Sequence, residues 1–216
     1  MGIINWSDVD VVVPAVLSIP ERLQSLNDLL VALSVQCPGV VVHLAPQWKT
    51  KEYTFRDVFV TISNILKGAT RPWVIYMEED IELDPNFGDK VLSILNNLEA
   101  DCGAVSLFSA DPRDKGRLSS GIQFYEREDV FYYSQCIAMR IAVAKAWQDM
   151  LVPWWDQAPE GRKRCIDVCF GDCCKSLNVK LLTYLPNLVN HRRVPSGYGH
   201  SRCPQSFTFG IENASR

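Results

Sequence analysis

The first half of the chain alternates between short apolar runs and longer segments with helical spacing. The apolar runs have the length of buried strands and lie at residues 11–17, 40–44, 73–77 and 103–108. Amphipathic helices are predicted between them, at residues 23–33, 53–67 and 85–98, the last with Asp84 as its N-cap. This β-α-β-α-β-α-β order predicts an α/β domain, with a mainly parallel sheet flanked by helices.

The second half of the chain has a weaker periodicity. Residues 110–121 are rich in Asp, Arg, Ser and Gly, which predicts a mobile, lid-like loop. A strand at 130–140, a helix at 141–151, a loop at 154–163, a helix at 165–177 and a strand at 179–185 are predicted after it. Neither a repeat nor a linker interrupts the pattern, so residues 1–216 are predicted to form a single domain.

Composition narrows the class of protein. The 216 residues are 47% hydrophobic and 22% charged, which is typical of a globular protein and excludes disorder and a coiled coil. The net charge of -3 argues against a molecule that binds nucleic acid with its whole surface, but it leaves a local basic patch open. We find no apolar run near the roughly 18 residues of a membrane span.

The eight cysteines could form a disulfide framework, bind zinc or pack in the core as reduced thiols. The amino-terminal sequence lacks the basic start of a signal peptide, so a cytoplasmic protein with reduced thiols is expected. Cys165, Cys169, Cys173 and Cys174 could suggest zinc, but their spacing contains no C-x2-C pair. Helical spacing of four residues favours small buried core residues instead.

An acidic triplet, Glu78-Glu79-Asp80, directly follows the third apolar run. Three adjacent carboxylates repel one another unless a cation lies among them, and hard oxygen ligands suit Mg²⁺ or Mn²⁺. In parallel sheets, ligands bind beyond the carboxyl ends of the strands, where this triplet is expected. The alternative is a solvated acidic loop that only precedes the next helix.

Several segments resemble GT-A-fold glycosyltransferases. WVIYMEEDIELDPNF, at 73–87, resembles the metal-binding segment in which an apolar strand ends in D-x-D or E-D-D, and VVVPAVLSIPERLQSLNDLL resembles the first strand and nucleotide-contacting loop. Tyr133-Ser134-Gln135-Cys136 resembles the G-S/T-Q segment of small bacterial and phage members, with Tyr133 where glycine is usual. Asp167 and Gly171, followed by PNLVNH and SGYG, resemble the D…G…P-x-L-V-x-H…S-x-x-G pattern near the end of these enzymes.

The resemblance implies a Rossmann-like GT-A fold and a metal-dependent glycosyltransferase. Residues 1–109 would form the nucleotide-sugar-binding half, and residues 110–216 the acceptor side and carboxy-terminal tail. Glu78, Asp80 and His191 would hold Mn²⁺ or Mg²⁺, and Asp167 would be the base that activates an acceptor hydroxyl. The donor, a nucleotide-diphosphate sugar, would be contacted by Ser18, Arg22, Arg71, Glu78, Glu79, Ser134, Gln135, Arg192 and Ser196.

The acceptor stays open at this point, between a glycan and a hydroxymethylated base in phage DNA. DNA would need a basic cleft, for which the candidates are Arg162, Lys163, Arg164, Arg192, Arg193 and Arg202. Trp154 and Trp155 could form an acceptor platform or pack under a loop. The alternative functions are a sugar nucleotidyltransferase, which would want a glycine-rich loop after the first strand, and a non-catalytic nucleotide-sugar-binding module. The sequence leaves the oligomeric state open, and a phage protein would act in the host cytoplasm.

Overall fold

The computed structural model describes residues 2–47, 54–126, 130–160, 165–194 and 204–211. The strands are β1 Val9–Val16, β2 Val41–Gln47, β3 Trp73–Met77, β4 Ile81–Leu83, β5 Cys102–Ser106, β6 Phe124–Glu126, β7 Cys136–Arg140, β8 Lys180–Tyr184 and β9 Val189–His191. The helices are α1 Pro20–Gln36, α2 Phe55–Lys67, α3 Phe87–Asn97, α4 Asp114–Ser119, α5 Ile141–Gln157 and α6 Ile166–Ser176.

Seven strands form one sheet in the order β2-β1-β3-β7-β5-β8-β6. Strands β1, β2, β3, β5 and β8 run in one direction, whereas β7 and β6 run in the other. The mainly parallel sheet predicted from the sequence is therefore confirmed, with β7 inserted between β3 and β5. Strands β4 and β9 pair separately as a small antiparallel sheet.

Apolar cores lie on both faces of the large sheet. Val11 and Val13 of β1 belong to the core beneath α1 and α3, whereas Val12 belongs to the core beneath α2, α5 and α6. This alternation follows from the two-residue period of a strand. Every residue of β1 and β3 is buried, and both strands are apolar in sequence apart from Asp10 of β1.

Two helix starts differ from the sequence-based boundaries. Helix α2 begins after Thr54, whose backbone N–H donates to Asp57 Oδ2 at 2.6 Å in a capping box. Asp84 does not cap α3 at Pro85 as predicted. Its carboxylate instead accepts hydrogen bonds from the Asn86 N–H at 2.8 Å and Lys90 Nζ at 2.8 Å, and the helix begins at Phe87.

Three predictions for the second half were wrong. Residues 110–121 include helix α4, which a cluster of ion pairs anchors, so this segment is not an unstructured lid. The strand predicted at 130–140 is limited to its last five residues, β7. Helix α5 continues through Pro153 to Gln157, where a loop was predicted.

Trp154 and Trp155 pack between helices. The Trp154 ring is stacked on Phe59 of α2 at 5.9 Å, and the Trp155 ring lies 5.0 Å from the same phenylalanine. Trp154 Nε1 also donates to Asp172 Oδ2 of α6 at 3.1 Å. These contacts stabilise the last turn of α5 despite its proline, and they favour packing over an acceptor platform.

The described part of the chain supports the interpretation of the cysteines as small buried core residues. The described cysteines are free, and Cys169, Cys173 and Cys174 are buried in the core. Burial raises the pKa of Cys169 to about 12 and that of Cys173 to about 11, as expected for inert thiols.

A membrane-crossing segment was not expected from the sequence. None of the helices in the described ranges combines the length and apolar content that a transmembrane segment requires.

Candidate active site

The acidic triplet lies where β3 ends and the chain turns into β4. The Glu78 N–H donates to the Gln135 carbonyl at 2.9 Å, which joins this turn to the segment before β7. Three residues after Glu78, β4 begins and pairs with β9, and Ile81 is directly opposite His191. The Arg192 N–H donates to the Asp80 carbonyl at 2.7 Å and continues the same ladder. Two distant segments are thus fixed around the triplet.

Glu78, Asp80 and His191 form a cluster that could hold a metal ion. His191 Nε2 lies 3.3 Å from Asp80 Oδ2 and 3.7 Å from Glu78 Oε2, and one ligand atom from each residue lies within 4.8 Å of the others. Asp80 and His191 are buried, whereas the Glu78 side chain is 26% exposed. The cluster therefore opens toward solvent at Glu78.

The donor set fits a divalent cation. Two carboxylates and an imidazole suit Mn²⁺, and carboxylates also suit Mg²⁺. Both Asp80 carboxylate oxygens are buried without an aligned hydrogen bond from any described residue, even though cationic groups are close. A buried carboxylate with free lone pairs is a costly arrangement that a bound cation would relieve.

Protons compete for this cluster. Burial, followed by the charge of Glu78, raises the pKa of Asp80 from its ordinary 3.8 to about 7. Burial would lower the pKa of His191, but a hydrogen bond to Glu78 and the charges of Asp80 and Glu78 outweigh it and raise that pKa. The cluster thus favours a positive species, either a proton or a metal ion.

Arg22 supplies a permanent positive charge beneath the triplet. Its Nε donates to Glu79 Oε1 at 2.6 Å, and its Nη1 lies 2.8 Å from Asp80 Oδ2. Glu79 Oε1 also accepts the Val16 N–H at 2.9 Å, at the end of β1. Arg22 and Glu79 are both buried, so this network fixes the first turn of α1 against the triplet. Their direct contact with a donor stays a prediction.

Other predicted donor residues lie at the same edge of the sheet. Ser18 is exposed in the turn between β1 and α1, Ser134 is buried, and Gln135 is half-buried beside Glu78. Arg192 is close as well, but its Nη1 lies 2.7 Å from Asp28 Oδ2 and its Nε donates to the Ile81 carbonyl.

Several predicted residues fall outside the described residues. Ser196 is one of them, as are four members of the suggested basic cleft, Arg162, Lys163, Arg164 and Arg202. Arg193 is described and exposed. The basic cleft consequently stays a prediction.

The placement of Arg71 near the donor phosphates was wrong. Its Nη1 donates to the carbonyls of Trp6, Val9 and Gly39 at 3.1, 3.2 and 3.0 Å. Arg71 precedes β3, whereas Glu78 follows it, so the length of the strand separates them by roughly 20 Å. Arg71 is close to Glu78 in sequence, but the two residues lie at opposite ends of β3.

Asp167 lies at the amino-terminal end of α6, close to the segment before β7. Its Oδ2 accepts the Tyr133 N–H at 2.9 Å, and its Oδ1 accepts the Val168 N–H at 3.1 Å. Burial raises the pKa of Asp167, and the two backbone hydrogen bonds partly oppose that rise. Its predicted role as a base is not tested by these contacts.

Two features of the structure were missed from the sequence. One is the ion pair between Arg22 and Asp80, because an arginine in the first turn of a predicted helix does not indicate which acidic group it contacts. The other is the cluster of Asp111, Arg113 and Arg117 after β5, in the segment predicted as a mobile loop. The three-residue spacing of Asp114 and Arg117, which have opposite charges, could have indicated a helix.

Solved glycosyltransferase structures have a similar fold. A glycosyltransferase involved in glycosylation of the major capsid of PBCV-1 matches with a TM-score of 0.59 at 9% identity, over 88% of this chain and 95% of that one. Drosophila beta-1,4-galactosyltransferase 7, a mutant in complex with manganese, UDP-Gal and xylobiose, gives 0.54 at 12% identity, over 90% and 76%. This chain has a GT-A fold.

The structure of S. aureus TarS 1–349 is also similar, with a TM-score of 0.54 at 13% identity, over 88% of this chain and 61% of that one. No protein-family model matches the sequence, and a search of curated proteins finds no significant match. At these identities the likeness shows the GT-A fold and leaves the reaction to be argued from the site.

Proposed function

We propose that this GT-A-fold protein is a metal-dependent glycosyltransferase, which moves a sugar from a nucleotide-diphosphate sugar to an acceptor hydroxyl. The observation that carries the proposal is the cluster of Glu78, Asp80 and His191 at the carboxyl edge of the sheet. Ligands of such sheets bind at this edge. The Drosophila enzyme of the same fold is in complex with manganese and UDP-Gal, which supports a comparable donor here.

A divalent ion at this cluster would neutralise negative charge on the departing nucleotide diphosphate. Asp80 and His191 would hold the ion from the buried side, and Glu78 would hold it on the side open to solvent. Arg22 would keep Asp80 and Glu79 in place, because its guanidinium contacts both carboxylates. Fixed charges of this kind stabilise a transition state without reorganising during the reaction.

The donor would lie along the same edge. Ser18, Ser134 and Gln135 are the residues we assign to it, because each is next to the ends of β1 or β3. Arg192 is a weaker candidate, since its guanidinium would first have to leave Asp28. Ser196 keeps its predicted role in donor binding.

The acceptor is either a glycan or a hydroxymethylated base in DNA. The glycan alternative is supported by the xylobiose in the Drosophila complex. The DNA alternative rests on the basic residues near the carboxy terminus. We place the enzyme in the cytoplasm, or in the host cytoplasm for a phage protein, because its described cysteines are free.

A donor-hydrolysis screen tests the proposal. Nucleotide-diphosphate sugars are incubated with the protein and Mn²⁺, and the released nucleoside diphosphate is measured with and without oligosaccharide or hydroxymethylated DNA. We expect release that EDTA abolishes and that one acceptor stimulates. Glu78→Gln should remove it, whereas Glu82→Gln, a matched change at an exposed residue of β4, should not.

Three results would contradict the proposal. Full activity in EDTA would exclude the metal mechanism. Release of pyrophosphate from a nucleoside triphosphate and a sugar phosphate would identify a nucleotidyltransferase. Donor binding without any turnover would support a non-catalytic module.

A further inference from the structure

The backbone at Tyr133 has an unusual conformation. Its φ is +82°, in the left-handed region that favours glycine, and it lies directly before Ser134 and Gln135. A side chain with a Cβ adopts this region only at an energetic cost, which surrounding contacts must offset. Something must therefore hold Tyr133 in place.

Asp167 makes one contact that can do so, and the Tyr133 ring also meets Phe108 edge-on at 6.1 Å. Its Oδ2 accepts the Tyr133 N–H at 2.9 Å. Gly171 lies one helical turn further along α6, on the same face, and a Cβ there would lie 2.9 Å from Phe131 Cβ. Helix α6 is thus packed closely against residues 131–133, and glycine at 171 permits that approach.

The segment is fixed at its other end by the metal cluster. Two residues after Tyr133, the Gln135 carbonyl accepts the Glu78 N–H at 2.9 Å. Ser134, between them, is buried. A continuous path of hydrogen bonds and short backbone therefore runs from Asp167 through residues 133–135 to the candidate metal ligand Glu78.

We propose that Asp167 is a positioning residue, which holds Tyr133 in its left-handed conformation and so sets the backbone beside Glu78. This role is the alternative to that of the acceptor base, and its activity readout rests on the proposed function. Each Asp167 oxygen already accepts a backbone N–H, from Tyr133 and from Val168. Each oxygen keeps a second lone pair, so substitutions at Asp167 are needed to separate the two roles.

Two substitutions at Asp167 separate the roles. Asp167→Asn keeps an oxygen that can accept the Tyr133 N–H, but it cannot take up a proton. A positioning role predicts a kcat within about threefold of wild type for Asp167→Asn, and a loss of roughly tenfold for Asp167→Ala, because about one hydrogen bond disappears. A base predicts a loss of about 10²- to 10⁴-fold for both.

Tyr133→Gly supplies the decisive background. Glycine adopts a positive φ without a Cβ penalty, so Tyr133→Gly should recover most of the activity that Asp167→Ala loses. Asp172→Asn is the matched control, because this carboxylate is on the same helix and contacts Trp154 instead. A double variant no more active than Asp167→Ala alone would overturn the proposal.

Hydrogen exchange provides a readout that does not depend on catalysis. The Tyr133 amide should exchange faster in Asp167→Ala than in wild type and remain protected in Asp167→Asn. A wild-type protein without transferase activity would contradict the proposed function, while these exchange rates would still test the link between Asp167 and Tyr133. Unchanged exchange in Asp167→Ala, or an inactive Asp167→Asn, would overturn the positioning role.

Discussion

Ile81 and His191 are directly opposite each other in the antiparallel pair of β4 and β9. This register brings His191 Nε2 to 3.3 Å from Asp80 Oδ2, although the two residues are far apart in sequence. A slip of one residue would turn the imidazole to the other face of the pair. The small sheet therefore brings His191, the third candidate ligand, to the acidic triplet.

The first prediction concerns metal binding at Asp80. Asp80→Asn removes the carboxylate charge from the most buried ligand, so the affinity for Mn²⁺ should fall by at least about 10- to 100-fold, the range seen even for residues that only support a ligand. Titration of Mn²⁺ followed by electron paramagnetic resonance measures this affinity. Glu82→Gln should bind Mn²⁺ like wild type, and equal affinities for Asp80→Asn and wild type would place the ion elsewhere.

The second prediction concerns pH. The pKa of Asp80 is raised from 3.8 to about 7, so between these pH values the folded metal-free protein holds a proton that the unfolded chain has lost. The free energy of unfolding therefore falls as the pH rises from 3.8 to about 7. His191, whose pKa is also raised, contributes stability at low pH that is lost as pH rises past its folded pKa. Mn²⁺ can replace both protons. The increase in Tm on adding Mn²⁺ should consequently be larger at about pH 8 than at about pH 5.5.

Thermal melts with and without Mn²⁺ at both pH values check this expectation. Subtracting the Tm without Mn²⁺ from the Tm with Mn²⁺ at each pH removes the contribution of ionisable groups away from the cluster. An equal Tm increase at both pH values would show that Asp80 and His191 do not exchange protons for the metal.

The third prediction concerns Gly171. A Cβ at this position would lie 2.9 Å from Phe131 Cβ, which is too close and cannot be relieved by rotating a long side chain. Gly171→Ala should cost about 1–3 kcal/mol of unfolding free energy and should weaken the contact between α6 and residues 131–133. Urea unfolding measures the cost. Gly116→Ala, where an added Cβ meets nothing within 4 Å, should be neutral or stabilising.

The fourth prediction concerns the anchor of α4. Asp111 is buried and accepts from Arg113 Nη2 at 2.8 Å and Arg117 Nη1 at 2.9 Å. The hydrogen bonds to Arg113, ahead of those to Arg117, hold the pKa of Asp111 well below its usual range although burial acts in the opposite direction. Asp111→Asn should lose about 2 kcal/mol at neutral pH, because hydrogen bonds to a charged group are replaced by weaker ones.

The acid dependence of this variant provides its own check. A depressed carboxyl pKa contributes stability that is present above the unfolded pKa of 3.8 and is lost as pH falls toward the folded one. The difference between Asp111→Asn and wild type in urea unfolding should shrink from about pH 7 to about pH 2.5. Asp149→Asn, at an exposed carboxylate of α5, should show little difference at either pH.

The parts of the fold predicted from the sequence are those with strong local patterns. The apolar run at 73–77 corresponds to β3 without a shift, and the triplet after it lies at the edge of the sheet where ligands bind. The opposite case is β7, whose apolar residues give no indication of direction, although it lies antiparallel between β3 and β5. Strand direction depends on tertiary connections that periodicity does not contain.

The candidate site shows the same division. The resemblance to GT-A glycosyltransferases implied a metal cluster of Glu78, Asp80 and His191, and the structure brings these three residues together. Arg71 was assigned to the donor phosphates or sugar and Arg22 to the surroundings of the nucleotide base, yet Arg71 contacts backbone carbonyls at the far end of β3 and Arg22 contacts carboxylates. Charge alone does not say which partner is within reach.

The pairing of β4 with β9 also determines when the metal cluster can exist. During synthesis, Glu78 and Asp80 leave the ribosome long before His191 does, and the first two strands of the large sheet can pair without it. Until β9 arrives, the buried carboxylates have no imidazole beside them. Under the proposed function, metal capture would therefore be a late event in the biogenesis of this protein, and a nascent chain that stalls before His191 would lack the complete candidate site.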